Sequence, residues 1–431
     1  MNIRQPLDVS KDRPRVVIDW SVLCYLNWFK MRCKDYVAQS PLEIEEYARN
    51  MASHLLYITE LLTPSEMVLA LDGPRNWRTP YYEGYYKTAC DFWKIREESS
   101  GWYAVIDKVF YHVGKDSFSD KWFVDKLKKD DIDSLNLADL EKYTPFIGGS
   151  APAWLIALYP EAPKTISDHA DIEGLRLVIP KYKGTRSASK WDFETPKDEW
   201  RELSRNLAYN IAPAFNARAV QVDWAEGDDI VAAFCMAEPI IPTVLVSIDS
   251  DLRQLCIPCI GLEYYHPKKM RFDTPTPAAA RFELLCKILG GDDSDNIHGV
   301  SMPGKAPFSS VSFDEVGGVK NGKTTVNWVR KMLEEKGNDF GAVYRLLETE
   351  SDTPTFYRNR NLVHLACMPA ELKTTLAAAV AWAPVEPAKY KYSDFGLTER
   401  AVLSITNQAK LDRARSNAAA GTSFEGLGVG I

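Results

Sequence analysis

Acidic residues follow several short apolar runs in this sequence. The runs 16–18 and 67–71 each lead directly into an aspartate, and the runs 219–222 and 243–248 lead into groups of acids. A glycine-containing turn near residue 291 carries further aspartates. The set that this pattern selects is Asp19, Asp72, Glu226, Asp228, Asp229, Asp249, Asp251, Asp292 and Asp295.

The grouping of these acids predicts a divalent metal site. A single aspartate in such a place is usually a helix cap or a solvated surface group. Two carboxylates 4 Å apart, however, repel by about 4 kcal/mol at an effective dielectric constant of 20, so several converging pairs need counter-ions. Hard cations with all-oxygen ligands are the natural partners, and Mg²⁺ usually takes one or two carboxylates plus water and phosphate oxygens.

The elements around the acids predict an α/β fold. Short β-branched runs alternate with helix-like segments, which is typical of a parallel-rich sheet flanked by helices. Ligands of such sheets bind beyond the carboxyl ends of the strands, where the acids after these runs fall. The net charge of −7 argues against a general polyanion binder, but without the nine acids it becomes −7 + 9 = +2, which leaves room for basic patches.

Composition indicates a globular cytoplasmic protein. Hydrophobic residues make up 45% of the 431, and charged residues 26%. No apolar run approaches the roughly 20 residues that span a bilayer, so no membrane association is expected. The eight cysteines lack framework spacing and are interpreted as reduced thiols. Cys256 and Cys259 have only His266 nearby, too few ligands for a zinc site.

Two regions depart from the strand–helix alternation. Residues 79–180 are rich in aromatic and charged residues and are interpreted as a largely helical insertion, with base stacking as one use for its aromatic side chains. After residue 278 the sequence is helical in character. The predicted division is therefore a metal-dependent core over 1–278, with an insertion at about 79–190, and a helical C-terminal region over 279–431.

Five acidic motifs, taken in order, resemble the metal-ligand motifs of the 5′-nuclease, or flap endonuclease, family, with the phage ribonuclease H proteins nearest. They are Val17-Ile18-Asp19, Leu71-Asp72-Gly73, Glu226-Gly227-Asp228-Asp229, Ser247-Ile248-Asp249-Ser250-Asp251 and Gly291-Asp292-Asp293-Ser294-Asp295-Asn296. The resemblance covers roughly residues 15–370. It implies a PIN-like nuclease fold with an inserted helical arch and a C-terminal helix–turn–helix element that binds duplex DNA.

The same resemblance implies an activity and its partners. The expected function is divalent-metal-dependent 5′→3′ exonuclease and flap endonuclease cleavage of branched or nicked DNA, and of RNA in RNA–DNA hybrids, with two Mg²⁺ ions for which Mn²⁺ can substitute. Primer removal in phage-type replication, in the cytoplasm of a bacterial host, would be the setting. Single-strand-binding protein and a sliding clamp are possible partners. The alternatives are a catalytically weak DNA-structure-binding protein and an ATPase.

Tyr182-Lys183-Gly184-Thr185-Arg186 resembles the basic motif of that family, which implies that Lys183 and Arg186 contact the scissile phosphate. The family usually places this motif soon after the second acid, whereas about a hundred residues intervene here. Arg75 and Arg78 compete for part of that role and are predicted to contact DNA.

The segment 317–324 matches the phosphate-binding pattern G-x-x-x-x-G-K-T of ATPases. No apolar strand ending in aspartate follows it, so a glycine turn that opens the second helix of a helix–turn–helix is favoured. Backbone amides at such a turn can bind a DNA phosphate, and Gly322, Lys323 and Thr324 are the predicted contacts.

Overall fold

The structure of the protein is a computed structural model. It describes residues 13–32, 41–82, 91–95, 101–106, 109–115, 122–126, 140–143, 182–183, 197–313, 319–351, 353–383 and 391–425. These residues group into two compact units, one drawn from 1–75, 188–284 and 365–431 and the other from 76–187 and 285–364. The predicted division at 278 stays a prediction, and 365–431 belongs with the sheet and not with the helices that precede it.

A six-stranded sheet forms the centre of the first unit, in the order β11-β10-β9-β1-β2-β8. All neighbouring pairs are parallel except β10 and β11, so the predicted parallel-rich sheet is confirmed. The strands are β1 (Arg15–Asp19), β2 (Glu66–Leu71), β8 (Ala217–Gln221), β9 (Thr243–Val246), β10 (Leu262–His266) and β11 (Arg271–Phe272).

Helices flank this sheet because the middle residues of its central strands are apolar and must be covered. Every residue of β1 is buried, as expected for a parallel strand that is covered on both faces. The helices of this unit are α1 (Trp20–Arg32), α2 (Pro41–Leu62), α3 (Lys197–Ile211), α4 (Gly227–Ala237), α5 (Pro277–Gly290, which continues into the second unit), α9 (Ala370–Trp382) and α10 (Glu399–Glu425).

The C-terminal helices belong to the same hydrophobic core. Leu55 and Leu62 on α2, Leu69 on β2 and Ala409 on α10 are buried in one cluster. Outside the cluster, the side chain of Arg413 donates a 2.8 Å hydrogen bond to the Leu61 carbonyl at the end of α2. The first unit is therefore built from both ends of the chain.

The insertion is not largely helical, and that prediction is wrong for its described residues. Apart from residues 78–82, which are helical, they form a five-stranded antiparallel sheet in the order β6-β5-β4-β3-β7. Aromatic and β-branched residues are abundant there and favour strands over helices. The strands are β3 (Asp91–Ile95), β4 (Gly101–Ile106), β5 (Val109–Lys115), β6 (Trp122–Lys126) and β7 (Leu140–Tyr143).

The rest of the second unit is mainly helical, as predicted. Its helices after α5 are α6 (Lys323–Glu335), α7 (Phe340–Glu350) and α8 (Thr353–Val363). Between α5 and α6 lies an antiparallel hairpin of β12 (Ser312–Phe313) and β13 (Val319–Asn321). The predicted helix–turn–helix is therefore not confirmed, because α6 follows a hairpin strand and not a simple turn from another helix.

None of the helices in the described part of the chain has the length and apolar character that crossing a bilayer requires.

Candidate functional site

Asp19 lies at the carboxyl end of β1, in the middle of the sheet, and only 4% of its surface is exposed. One of its carboxylate oxygens accepts a 3.1 Å hydrogen bond from the Val22 amide as α1 begins. The other accepts a 2.9 Å hydrogen bond from the Ser247 hydroxyl, just beyond β9. Two adjacent strands therefore fix the orientation of this buried carboxyl group.

The surroundings of Asp19 disfavour its negative charge. Burial, followed by the charges of Asp249 and Asp72, raises the pKa of Asp19 to about 7, and the two hydrogen bonds only partly oppose this. Among the described residues, the charged groups that act on the pKa of Asp19 are both carboxylates. A cation bound beside Asp19 would remove the unfavourable interaction among the three carboxylates.

Asp72 connects the neighbouring strand β2 with α4. Its Oδ1 accepts a 2.8 Å hydrogen bond from the Gly227 amide, and its Oδ2 accepts a 2.8 Å hydrogen bond from the Ser21 hydroxyl on α1. Asp72 itself is exposed. A Cβ atom on Gly227 would lie 3.3 Å from both the Ala70 carbonyl oxygen and Asp72 Oδ1, which is a tight contact.

The acids at the start of α4 have different surroundings. Asp229 is completely buried, and its Oδ2 accepts a 3.0 Å hydrogen bond from the Glu226 amide, so it closes the first turn of the helix. Glu226 and Asp228 are half-buried. The role of Asp229 as a helix cap is the commonplace explanation for an acid here, and Glu226 and Asp228 are better placed to reach a ligand.

Asp249 and Asp251 follow β9 in a short turn. Asp249 Oδ1 accepts a 2.8 Å hydrogen bond from the Asp251 amide, and the Asp249 amide donates to Ser247 Oγ at 3.0 Å. The Asp249 carbonyl also accepts a 2.9 Å hydrogen bond from the hydroxyl of Tyr264 on β10. Ser247 therefore joins Asp19 to the Asp249 turn, and both aspartates are half-buried or deeper.

Sequence analysis missed the groups that orient these acids. Ser21, Ser247 and Tyr264 each donate a hydrogen bond to the acidic segments, yet each occurs in a part of the sequence that looks like ordinary strand or helix. The only signal was adjacency, because Ser247 immediately follows a strand and precedes Asp249 by two positions. We name Asp19, Asp72 and Asp249 the sheet-edge carboxylates.

The sheet-edge carboxylates do not by themselves form a complete cage for an ion. Within the residues that the structure describes, no group of three or more His, Cys, Asp or Glu side chains is arranged to hold a metal ion. One or two carboxylates with water and substrate phosphate are, however, the usual ligand set for Mg²⁺. The donors at this edge are all oxygen, which suits a hard divalent cation and not zinc.

In the second unit, Asp292 and Asp295 lie in one tight turn. Asp292 Oδ1 accepts hydrogen bonds from the amide and hydroxyl of Ser294, at 2.8 and 2.6 Å. Asp295 Oδ2 accepts a 2.8 Å hydrogen bond from the hydroxyl of Tyr182. The sequence prediction that these two aspartates share one turn agrees with this geometry, although each already binds a neighbouring donor.

Lys183 is brought to the same turn from more than a hundred residues away. Its amide donates a 2.8 Å hydrogen bond to the Asp295 carbonyl, and its Nζ lies 5.2 Å from the centre of the Tyr182 ring. Lys183 also has a left-handed backbone, with φ of 59°. A predicted basic residue and a predicted acid are thus neighbours here, whereas Arg186 lies outside the described residues.

Arg75 and Arg78 have opposite surroundings. Arg75 is exposed and pairs with Asp223 through both carboxylate oxygens, one at 2.9 Å from Nε. Arg78 is 3% exposed, and its Nε donates a 3.1 Å hydrogen bond to the Leu362 carbonyl. Burial makes Arg78 a structural residue and disagrees with its predicted contact to DNA, while Arg75 keeps an exposed guanidinium.

Gly322, Lys323 and Thr324 form the start of α6, with both side chains exposed. Gly322 has φ of +74°, and a Cβ atom on it would lie 2.5 Å from the Ser310 carbonyl oxygen, so only glycine suits this turn. The P-loop alternative is disfavoured, because β13 (Val319–Asn321) belongs to an antiparallel hairpin and is not part of an open phosphate-binding loop.

The cysteines within the described residues form no disulfide bond with one another. Cys256 and Cys259 are buried at 1% and 2% exposure, which agrees with a structural role for the pair.

No protein-family model matches the chain. Comparison with solved structures finds the bacteriophage T5 flap endonuclease in a pseudo-enzyme–product complex with DNA and metal ions, at 11% identity and a TM-score of 0.39, over 92% of this chain and all of that one. A T5 5′-exonuclease mutant matches at 10% identity and 0.38, over 93% and 99%. T5 5′-exonuclease with bound zinc ions matches at 11% and 0.37, over 93% and 100%. The chain is thus similar to solved flap endonuclease and 5′-exonuclease structures, at identities of 10% and 11%.

Proposed function

We propose that this protein is a divalent-metal-dependent nuclease that acts as a 5′→3′ exonuclease and a structure-specific flap endonuclease on DNA. The observation that carries the proposal is the position of Asp19. It is a carboxyl group at the carboxyl edge of a parallel sheet, and burial, followed by the charges of Asp249 and Asp72, raises its pKa. In such an arrangement, the repulsion among the carboxylates destabilises the folded protein unless a cation binds.

Mg²⁺ suits this donor set, and Mn²⁺ would substitute for it. The sheet-edge carboxylates supply hard oxygen ligands. Glu226 and Asp228 lie at the start of α4, which the Gly227 amide joins to Asp72, and Asp251 follows Asp249 by two positions. When bound, the cation would lower the pKa of a water molecule and stabilise charge on the phosphate oxygens. Asp292 and Asp295, in the second unit, are proposed as ligands of a second ion.

Other residues of the chain hold the carboxylates in one orientation or supply charge to the substrate. Ser247 and the Val22 amide hold Asp19 in one orientation, and the Gly227 amide holds Asp72. Fixed carboxylates need no reorganisation when the substrate arrives, which is the main requirement for electrostatic stabilisation of a transition state. Lys183 and Arg186 are proposed to supply positive charge to the reacting phosphate.

The substrate and setting are further parts of this proposal. Branched or nicked DNA, and RNA in RNA–DNA hybrids, would be cleaved during primer removal in phage-type replication in the cytoplasm. Single-strand-binding protein and a sliding clamp are the proposed partners. A catalytically weak DNA-structure-binding protein of the same fold is the alternative.

End-labelled substrates test the proposal. The wild-type protein would be incubated with a 5′-flap duplex, a nicked duplex and an RNA–DNA hybrid, each with Mg²⁺ and with excess chelator. We expect short labelled products from the flap substrate in Mg²⁺ and none in chelator. Undiminished cleavage in chelator would reject metal dependence, and binding to the flap without cleavage in Mg²⁺ or Mn²⁺ would favour the DNA-binding alternative.

A further inference from the structure

The loops after β2 and β8 place an arginine and a tryptophan next to the sheet-edge carboxylates. Arg75 follows Asp72 by three positions, and Trp224 precedes Glu226 by two. The two loops are joined by a 2.8 Å hydrogen bond from the Gly73 amide to the Ala225 carbonyl. Both residues therefore lie at the carboxyl edge of the sheet, where ligands of parallel α/β sheets bind.

Trp224 has an uncommon backbone conformation. Its φ is +66°, in the left-handed region that glycine and asparagine tolerate and that bulky residues rarely adopt. Its amide donates a 3.0 Å hydrogen bond to Asp223 Oδ1, which holds the turn. Since a strained residue persists only where the surrounding structure imposes it, the position calls for a reason to keep the indole ring.

The Trp224 ring carries the Arg75 guanidinium on its face. Arg75 Cζ lies 4.4 Å from the ring centre, within the range of a cation–π interaction. The same guanidinium pairs with both oxygens of Asp223. Arg75 and Asp223 remain 43% and 40% exposed, so the pair is open to solvent. The arrangement places an exposed arginine beside a half-buried indole ring.

We propose that Arg75 and Trp224 form a contact for one nucleotide of an unpaired nucleic-acid strand. Arg75 binds a phosphodiester, Trp224 stacks on the adjoining base, and Asp223 occupies the guanidinium until the phosphate displaces it. This inference rests on the proposed nuclease function. It adds a stacking residue and a built-in competitor to a site for which the sequence suggested only a basic contact.

The chemistry of the three groups supports this assignment. The two parallel N–H donors of a guanidinium match phosphate as well as carboxylate, so a phosphodiester can take the place of Asp223 without moving Arg75 far. Every base has a π-face that an indole can stack on, whatever its identity. The Asp223 carboxylate therefore competes with the phosphate for Arg75. This competition lowers the affinity for any nucleic-acid strand, and a ligand that binds Arg75 more weakly than Asp223 does cannot displace it.

Binding in the absence of divalent metal tests the competitor. The probe is a fluorescent 5′-flap DNA duplex in chelator, titrated with protein over a series of salt concentrations. We expect Asp223→Asn to raise affinity about three- to tenfold, because the phosphate no longer competes with a carboxylate. The asparagine keeps an oxygen for the Trp224 amide. Arg75→Ala should lower affinity and reduce the salt slope by about one unit.

The matched control is an exposed arginine–carboxylate pair elsewhere in the first unit. Glu202 and Arg205 on α3 lie 3.8 Å apart, with exposures of 66% and 39%. Glu202→Gln removes the same charge and should change affinity less than twofold. In the Arg75→Ala background, Asp223→Asn should lose most of its effect. An unchanged or lower affinity for Asp223→Asn alone would overturn the competitor assignment, as would an equal gain from Glu202→Gln.

The stacking assignment has its own test. Trp224→Gly relieves the left-handed backbone and removes the ring, so we expect affinity for an unpaired strand to fall at least about fivefold while the thermal midpoint stays equal or rises. Trp224→Phe keeps a ring and should retain most of the affinity. If Trp224→Gly lowers the thermal midpoint and leaves affinity unchanged, the tryptophan is a packing residue and the stacking assignment is wrong.

These binding measurements separate the inference from the nuclease proposal. DNA and RNA single strands of one sequence form parallel arms, and equal effects of Trp224→Gly on both would agree with stacking on a base of either strand. Loss of the effect in both arms would overturn the contact. If the substitutions change affinity as expected but the protein does not cleave DNA in Mg²⁺, the nuclease proposal is rejected and the nucleotide contact is retained. If the protein cleaves DNA in Mg²⁺ but the substitutions do not change affinity, the nucleotide contact is rejected and the nuclease proposal is retained.

Discussion

Replacing Asp19 with asparagine should stabilise the metal-free protein at neutral and alkaline pH. The carboxyl group is 4% exposed, and its pKa is raised to about 7. In the unfolded chain the same group releases its proton at a pH of about 4. Between these values Asp19 binds more protons in the folded protein than in the unfolded chain. The stability that Asp19 contributes is therefore greatest below pH 4 and is lost as the pH rises through 7.

The size of the effect follows from the shift. A change of about three pH units corresponds to about 4 kcal/mol in the free energy of unfolding. Asp249 and Asp72 contribute to the shift, so part of that free energy depends on all three carboxylates and not on Asp19 alone. We therefore expect Asp19→Asn to raise the free energy of unfolding by about 1–3 kcal/mol at pH 8. At pH 5 the gain should be about a third as large.

Thermal and urea unfolding in excess chelator, at pH 5 and pH 8, measure this gain. Asp412→Asn is the matched control. Hydrogen bonds from Gln408 and Tyr57 lower the pKa of Asp412, so its loss should destabilise the protein where Asp19→Asn stabilises it. Adding Mg²⁺ should then stabilise the wild type more than the Asp19→Asn variant. A variant less stable than wild type in chelator at pH 8 would refute the electrostatic reasoning, and equal stabilisation by Mg²⁺ would remove Asp19 from the metal site.

Three further substitutions test the assigned roles. Asp249→Asn should abolish cleavage of a 5′-flap duplex yet leave binding near or above wild type, and retained activity at saturating Mg²⁺ would count against the ligand assignment. Lys183→Ala should lower the single-turnover rate by about 10²–10³, and an unchanged rate with weaker binding would make it a peripheral contact. Lys323→Ala should reduce the salt slope of duplex binding by about one unit at a constant catalytic rate. Loss of tight ATP binding in the same variant would instead support a nucleotide site.

The sheet was predictable from sequence because the runs that form its central strands consist almost entirely of apolar residues. Residues 16–18 and 67–71 are apolar throughout, and in a parallel sheet such runs can only be covered on both faces. The acids that follow these runs were also predictable. Parallel strands point in one direction, so the residues after their carboxyl ends lie at the same edge of the sheet. The insertion was not predictable in this way, because its strands mix lysines with aromatic residues and lack a clean period of two.

The division of roles among the acids could not be predicted, because it depends on backbone geometry that spacing does not encode. Asp228 and Asp229 are adjacent in sequence and equally acidic, yet Asp229 is buried as a helix cap and Asp228 is half-buried. Arg75 and Arg78 are similarly alike in sequence, and only one is exposed. A helical turn places neighbours about 100° apart, so residue type and proximity to a motif do not decide which side chain faces a ligand.

Hydroxyl groups hold the carboxylate-bearing segments of the sheet edge in place. Ser247 donates to Asp19 and accepts from the Asp249 amide, so one oxygen stabilises two of the carboxylate-bearing segments at once. Ser21, in the first turn of α1, donates a hydrogen bond to the Asp72 carboxylate. These bonds lower the cost of carboxylate repulsion but do not cancel it, because the pKa of Asp19 remains raised. These fixed carboxylates would need little rearrangement to accept the proposed cation, and its binding would recover the remaining electrostatic cost.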